Sequence, residues 1–125
     1  STISSNTAKH IAFAKVSTIK ELDALLAKNS GKKIMLDFYA DWCTACKELE
    51  EVTFANAEVR EKMKEFVLIQ ADITANKEEQ KALSSKYGVF GPPVILFFDE
   101  KGEVVKAKTV TGFMEPTEFL KQLNR

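Results

Sequence analysis

The run Ile34-Met35-Leu36-Asp37-Phe38-Tyr39-Ala40 is apolar at every position but Asp37. Successive strand residues face opposite sides of a sheet, so a strand apolar on both faces is covered on both sides. Such a strand needs helices above and below it, which confines the chain to layered α/β folds.

The surrounding pattern agrees. Ile11 to Val16 reads as a short first strand with Ile11 and Phe13 on one face. Thr18 opens a capping box with Glu21, and Ile19, Leu22, Leu25 and Leu26 follow at helical spacing up to Gly31. Asn56 caps a further helix reaching about Glu65, with Val59 and Met63 inward. Phe66 to Ile73 is a second apolar strand. Asn76 with Glu79 offers another cap, for a helix carrying Leu83 and Tyr87 that stops at Gly88. Val94 to Phe98 is a buried strand, residues 99–102 are a hairpin-type turn, and 103–111 form a weaker strand ended by Gly112. Pro116 opens a last helix with Phe119, Leu120 and Leu123 on one face. Early strands separated by helices imply parallel crossovers, and the late hairpin adds antiparallel strands. The expected fold is α/β, a central mixed sheet flanked by helices on both faces.

At 125 residues, 45% apolar and 29% charged, this is one globular domain with a core that needs no staples. Eighteen basic residues balance 18 acidic ones, which gives no reason to invoke nucleic acid or an anionic membrane. No apolar run approaches the ~20 residues of a membrane span, so direct membrane insertion is not expected. The start, STISSNTAKH, lacks the apolar stretch of a signal peptide. Residues 1–9 read as a flexible leader or cloning remnant, and 10–125 as a single domain. The sequence is compatible with a mature protein and with a piece of a longer one, and a monomer is expected in isolation.

Both cysteines of the chain stand in Asp41-Trp42-Cys43-Thr44-Ala45-Cys46-Lys47, directly after the buried strand. A structural zinc site needs four ligands, and the one histidine, His10, lies in the leader, so no metal is expected. A structural disulfide over two intervening residues would remove little unfolded-state entropy. A redox dithiol explains the placement. Lys47 to Glu51 are helix formers, which puts Cys43 near a helix start, where free N–H groups stabilise a thiolate. Cys46 lies one turn on, where it can resolve a mixed disulfide. No organic cofactor is implied, because the electrons reside on the two sulfurs.

WCTAC after LDFYAD resembles the active site of the thioredoxin fold, and Gly91-Pro92-Pro93-Val94 matches the place of that fold's cis-proline loop. The stretches MLDFYADWCTACKELE, TFANAEV, QADITAN, GPPVILFFDEKG and VTGFM are similar to the C-terminal periplasmic domain of the DsbD family of thiol:disulfide interchange proteins. The likeness runs from about His10 to the end. It implies a reductant that takes electrons from a membrane-embedded domain of the same protein. It would pass them to an N-terminal immunoglobulin-like domain that serves periplasmic isomerases and cytochrome c maturation. The place implied is the periplasm, as a soluble domain of an inner-membrane protein. The alternative is a free-standing thioredoxin-like reductant, or a disulfide oxidase or isomerase. A binding module that kept the fold without the chemistry is disfavoured by the presence of both cysteines.

The resemblance also assigns roles. It places a buried acid at Asp37, which otherwise reads as a hydrogen-bonded residue at a strand end. Such a carboxylate would exchange a proton with Cys46 and oppose a thiolate at Cys43. From spacing alone Glu48 belongs to a solvated helix face, whereas the likeness makes it a second tuning acid. Pro93 is expected to be cis. Pro92 before it has no N–H, so the loop's backbone pairing with a partner would keep only its carbonyl. Val94 stands where thioredoxins often have threonine, and Thr44-Ala45 replaces their Gly-Pro. Trp42, the only tryptophan, shields the site or forms contact surface for a partner, and Phe90 does similar work from the facing loop. Tyr39 reads as packing.

Overall fold

The computed structural model describes residues 11–125. The leader 1–9 and His10 therefore lie outside the described residues. Five strands form one sheet in the order β1-β3-β2-β4-β5. They are β1 (Ala14–Val16), β2 (Ile34–Tyr39), β3 (Val67–Asp72), β4 (Val94–Phe98) and β5 (Val110–Thr111). The helices are α1 (Ile19–Lys28), α2 (Thr44–Glu48), α3 (Ala57–Met63), α4 (Glu78–Lys86) and α5 (Pro116–Leu123). β3 runs parallel to β1 and β2, while β4 is antiparallel to β2 and β5, as the element order implies.

β2 is central, and all six of its residues are buried. Its alternation divides the core in two. Ile34, Leu36 and Phe38 join Leu22 of α1, Leu83 of α4, and both cysteines. Met35 faces the other way, with Leu49, Phe54, Val59, Met63, Phe119 and Leu123. α1 and α4 thus cover one face, and α3 and α5 the other. Local signals hold at the helix starts. Glu21 N–H donates to Thr18 Oγ1 at 3.1 Å while Glu21 Oε1 accepts from Thr18 N–H at 3.2 Å, which closes the expected capping box. Asn56 Oδ1 accepts from Val59 N–H at 3.0 Å, and Pro116 stands at the first turn of α5.

Several boundaries differ from the sequence expectation. The first strand pairs only over Ala14–Val16, because β3, its one neighbour, pairs with it through Ile69, Gln70 and Ala71. The α4 cap is one residue later than Asn76. Asn76 N–H closes a turn onto Ile73 O at 3.1 Å with φ 52°, a left-handed position that asparagine tolerates, and Lys77 N–H then donates to Gln80 Oε1 at 3.0 Å. The strand expected over 103–111 is interrupted. Val104 forms a single bridge to Phe98, residues Lys106–Lys108 wind into a 3₁₀ turn, and pairing resumes at Val110. The 3₁₀ turn tucks the Lys108 stem against Phe66 and Phe97, its Nζ 5.2 and 5.0 Å from the ring centroids, which a continuous edge strand would not do. The helix after the cysteines also changes character. It widens into a π turn over Leu49–Thr53, closed by Phe54 N–H donating to Leu49 O at 2.7 Å.

Candidate active site

The site sits where β2 leaves the sheet. Cys43 N–H donates to Ala40 O at 3.1 Å, so the chain turns at once from strand into helix. Cys43 becomes the N-cap of α2, and its Sγ accepts the Cys46 N–H at 3.1 Å. This is the hydrogen bond that supports negative charge on a capping sulfur. The two cysteines are joined by a disulfide, with Cα atoms 5.3 Å apart. Cys43 retains 8% of its surface and Cys46 3%. The first is the one a partner can reach, and the second lies beneath it.

Asp37 is buried at 3% exposure, on the face of β2 that Met35 shares. Gln70 Nε2 donates to its Oδ2 at 3.4 Å. Burial raises its pKa from 3.8 to about 7, with the Gln70 bond opposing the rise and the Glu50 charge adding to it. Sequence reasoning paired Asp37 with Glu48. Glu48 is exposed, at the last position of α2, and the carboxylate whose charge reaches Asp37 is Glu50, half-buried in the π turn. The π turn takes Glu50 out of regular helical phase from Cys46, so no local signal in the sequence marks it.

Trp42 is 60% exposed, yet its indole is tethered: Nε1–H donates to Thr74 O at 3.1 Å. Asp41 N–H donates to Thr74 Oγ1 at 2.9 Å, and Tyr39 OH donates to Asp41 Oδ1 at 2.9 Å. Lys47 Nζ lies 3.4 Å from Tyr39 Oη, and Tyr39 resists ionisation through burial first, then its bond to Asp41. Tyr39, read from sequence as packing, is therefore also a hydrogen-bonding residue. Sequence reasoning missed Thr74 altogether, except as part of the DITAN stretch.

Pro92-Pro93 is a cis bond. The Pro93 carbonyl is taken by Gly112 N–H at 2.9 Å, beyond the end of β5, where φ 77° suits glycine. A groove of about 730 Å³ begins at this loop and runs along β4 and β5, lined among others by Tyr87, Phe90, Pro92, Pro93, Val104 and Thr111. Phe90 is fully exposed at its mouth. Among the described residues no group of three or more His, Cys, Asp or Glu is placed to hold a metal ion, and no helix is long and apolar enough to cross a membrane.

The model of the thioredoxin-like domain family matches residues 21–125. The chain is 48% identical over 118 residues, 94% of its length, to the thiol:disulfide interchange protein DsbD of Yersinia pestis (strain Pestoides F), of which it covers 20%. It thus spans about a fifth of the length of the curated relatives it matches. The oxidised C-terminal domain of Neisseria meningitidis DsbD superposes with a TM-score of 0.73 at 33% identity, covering 90% of this chain and 97% of that one. Fasciola hepatica thioredoxin superposes at 0.70 with 21% identity, over 90% of this chain and 98% of that one, a likeness of fold. The Cys43–Cys46 pair is a disulfide at the strand-to-helix junction of a thioredoxin fold.

Proposed function

The chain belongs to the thioredoxin-like family and, within it, to the C-terminal domains of DsbD; from that premise we propose that it is a protein-disulfide reductase domain. It takes electrons from a membrane-embedded domain and passes them to a disulfide in a periplasmic partner domain. The thiolate of reduced Cys43 attacks one sulfur of the partner disulfide and releases the other as a thiolate. Cys46, deprotonated, then attacks Cys43 Sγ, forms the Cys43–Cys46 disulfide and frees the partner's second thiol. Two electrons pass to the partner, and two protons complete its dithiol. A dithiol donor reverses these steps to recharge the domain.

The observation that carries this reading is the bridged pair with Cys43 at the helix cap, partly open, and Cys46 beneath it. In this reading Asp37, buried in the strand that leads to the pair, takes the role that the family likeness assigns it and exchanges the Cys46 proton. Asp37 together with the helix acids Glu48 and Glu50 disfavours a thiolate at Cys43. Trp42 and Phe90 form the apolar contact surface for the partner. Pro92 and Pro93 border its docking groove, with the Pro92 carbonyl offered to the partner's backbone. The relatives carry most of their length outside the matched region, which supports further domains as donor and acceptor. The likeness to DsbD supports a place in the periplasm as a soluble domain of an inner-membrane protein.

The test is the reduction potential of the pair, equilibrated against a thiol buffer and read by Trp42 fluorescence. A value of about −230 mV or below, toward the roughly −270 mV of thioredoxin, is expected of an electron donor. A value near the roughly −120 mV of a strong oxidant such as DsbA would reverse the assigned direction.

A further inference from the structure

We propose that Thr74 is a positioning residue for exchange, holding the Asp41-Trp42 segment that delivers Cys43 to its partner. The inference rests on the exchange chemistry proposed above. Thr74 follows β3, and its position is fixed by the sheet: Ile73 N–H donates to Tyr39 O at 2.8 Å, which extends the β2–β3 pairing past the strand ends. The turn beyond it is anchored twice. Asn76 N–H closes onto Ile73 O, and buried Gln80 accepts from Lys77 N–H while its Nε2 donates to Ser17 O at 3.1 Å.

The Asp41-Trp42 segment has no comparable support of its own, because both residues are exposed. Besides the bond from Tyr39 OH to Asp41 Oδ1, what holds it is Thr74. The Thr74 hydroxyl oxygen accepts the Asp41 N–H at 2.9 Å, and its carbonyl accepts the Trp42 indole at 3.1 Å. Asp72 orients the threonine: its Oδ1 accepts both the Thr74 N–H, at 2.9 Å, and the Thr74 hydroxyl. The hydroxyl therefore uses both of its capacities, as donor to Asp72 and acceptor from Asp41. From Asp41 the chain of contacts continues through Tyr39 to Lys47, inside α2. Residues on both sides of the CxxC are thereby tied to β2 and to the turn after β3. The attacking sulfur must lie in line with the disulfide it breaks, so a loose approach segment slows exchange while leaving the thiol's intrinsic reactivity untouched.

The experiment compares Thr74→Val and Thr74→Ser with the unsubstituted chain. Three quantities are read: the rate at which the reduced protein cleaves a fluorogenic disulfide-linked test peptide, the rate at which iodoacetamide alkylates Cys43, and the Trp42 emission. Thr74→Val keeps the shape and loses the hydroxyl. It is expected to slow peptide cleavage by about fivefold to tenfold, the worth of one lost hydrogen bond. Alkylation should stay within twofold (roughly the noise of such a rate) and Trp42 emission should shift to the red. Thr74→Ser should restore cleavage and emission. The idea is overturned if Thr74→Val equals the unsubstituted chain, if the serine variant is as slow as the valine one, or if cleavage and alkylation fall in equal proportion. Should the valine variant not fold, amide hydrogen exchange on the unsubstituted protein decides. The Asp41 N–H is expected to be protected despite its exposed residue, and free exchange there would refute the proposal. An unsubstituted chain unable to cleave the peptide would instead refute the reductase reading, leaving Asp41 protection and Trp42 emission as expected.

Discussion

Replacing Asp37 by asparagine should stabilise the oxidised protein, and the gain should grow with pH. Asp37 is buried on the covered face of β2 and its pKa rises from 3.8 unfolded to about 7 folded. Between those values the folded state holds a proton that the unfolded state has released. Folding is then favoured at the acid end and weakens as pH rises, by about 1.4 kcal/mol per pH unit. Above the folded pKa the loss is complete, at about 4 kcal/mol for a shift of roughly three units. Asparagine carries no such term and can still bond to Gln70. The difference in unfolding free energy between Asp37→Asn and the unsubstituted protein should therefore be about 3 kcal/mol larger at pH 8 than at pH 5. Comparing the two proteins cancels the titrating groups they share, and comparing two pH values cancels any fixed cost of the substitution. Urea unfolding followed by far-UV circular dichroism measures it, with the disulfide intact so that no thiol titrates. A gap that is the same at both pH values, within about 0.5 kcal/mol, would show that Asp37 is not held protonated by its burial.

The cysteine roles separate under single substitution. Cys43→Ser should abolish cleavage of a test disulfide, whereas Cys46→Ser should still attack and accumulate the mixed disulfide, visible as an added mass under non-reducing conditions. Release of the partner by the Cys46→Ser protein would remove the resolving role. The tuning acids separate in the same way: following the Cys43 thiol of the reduced protein by its absorbance near 240 nm, Glu50→Gln should lower its titration midpoint more than Glu48→Gln. A larger effect at Glu48 would make Glu48 the stronger tuning acid.

Much of the site was legible because its determinants are local. A strand apolar on both faces, followed at once by a cysteine pair and helix formers, fixes one cysteine at a cap and the other a turn below it, whatever the remaining chain does. The Thr18 and Asn56 caps were readable for the same reason, since each is closed within three residues. Glu50 was not. A regular α-helix would carry it onward in phase from Cys46, but the π turn over Leu49–Thr53 alters that phase, and only the packing of Leu49 and Phe54 on the Met35 face shows where its charge falls. The 103–111 strand failed because its regularity competes with burial of the Lys108 stem, a tertiary gain invisible to alternation.

The sequence by itself determined the chemistry: two sulfurs at a strand-to-helix junction, an acid in an apolar strand, and a diproline before a buried run. It determined these because periodicity, caps and cysteine spacing act over a few residues. Only the tertiary structure decided what stands around the sulfurs. Sheet order places β3 on one side of β2 and β4 on the other. Thr74 and Pro93, far from the cysteines along the chain, arrive at the site at the ends of those strands. Their bonds to Trp42, Asp41 and Gly112 depend on long-range pairing, which no local pattern encodes.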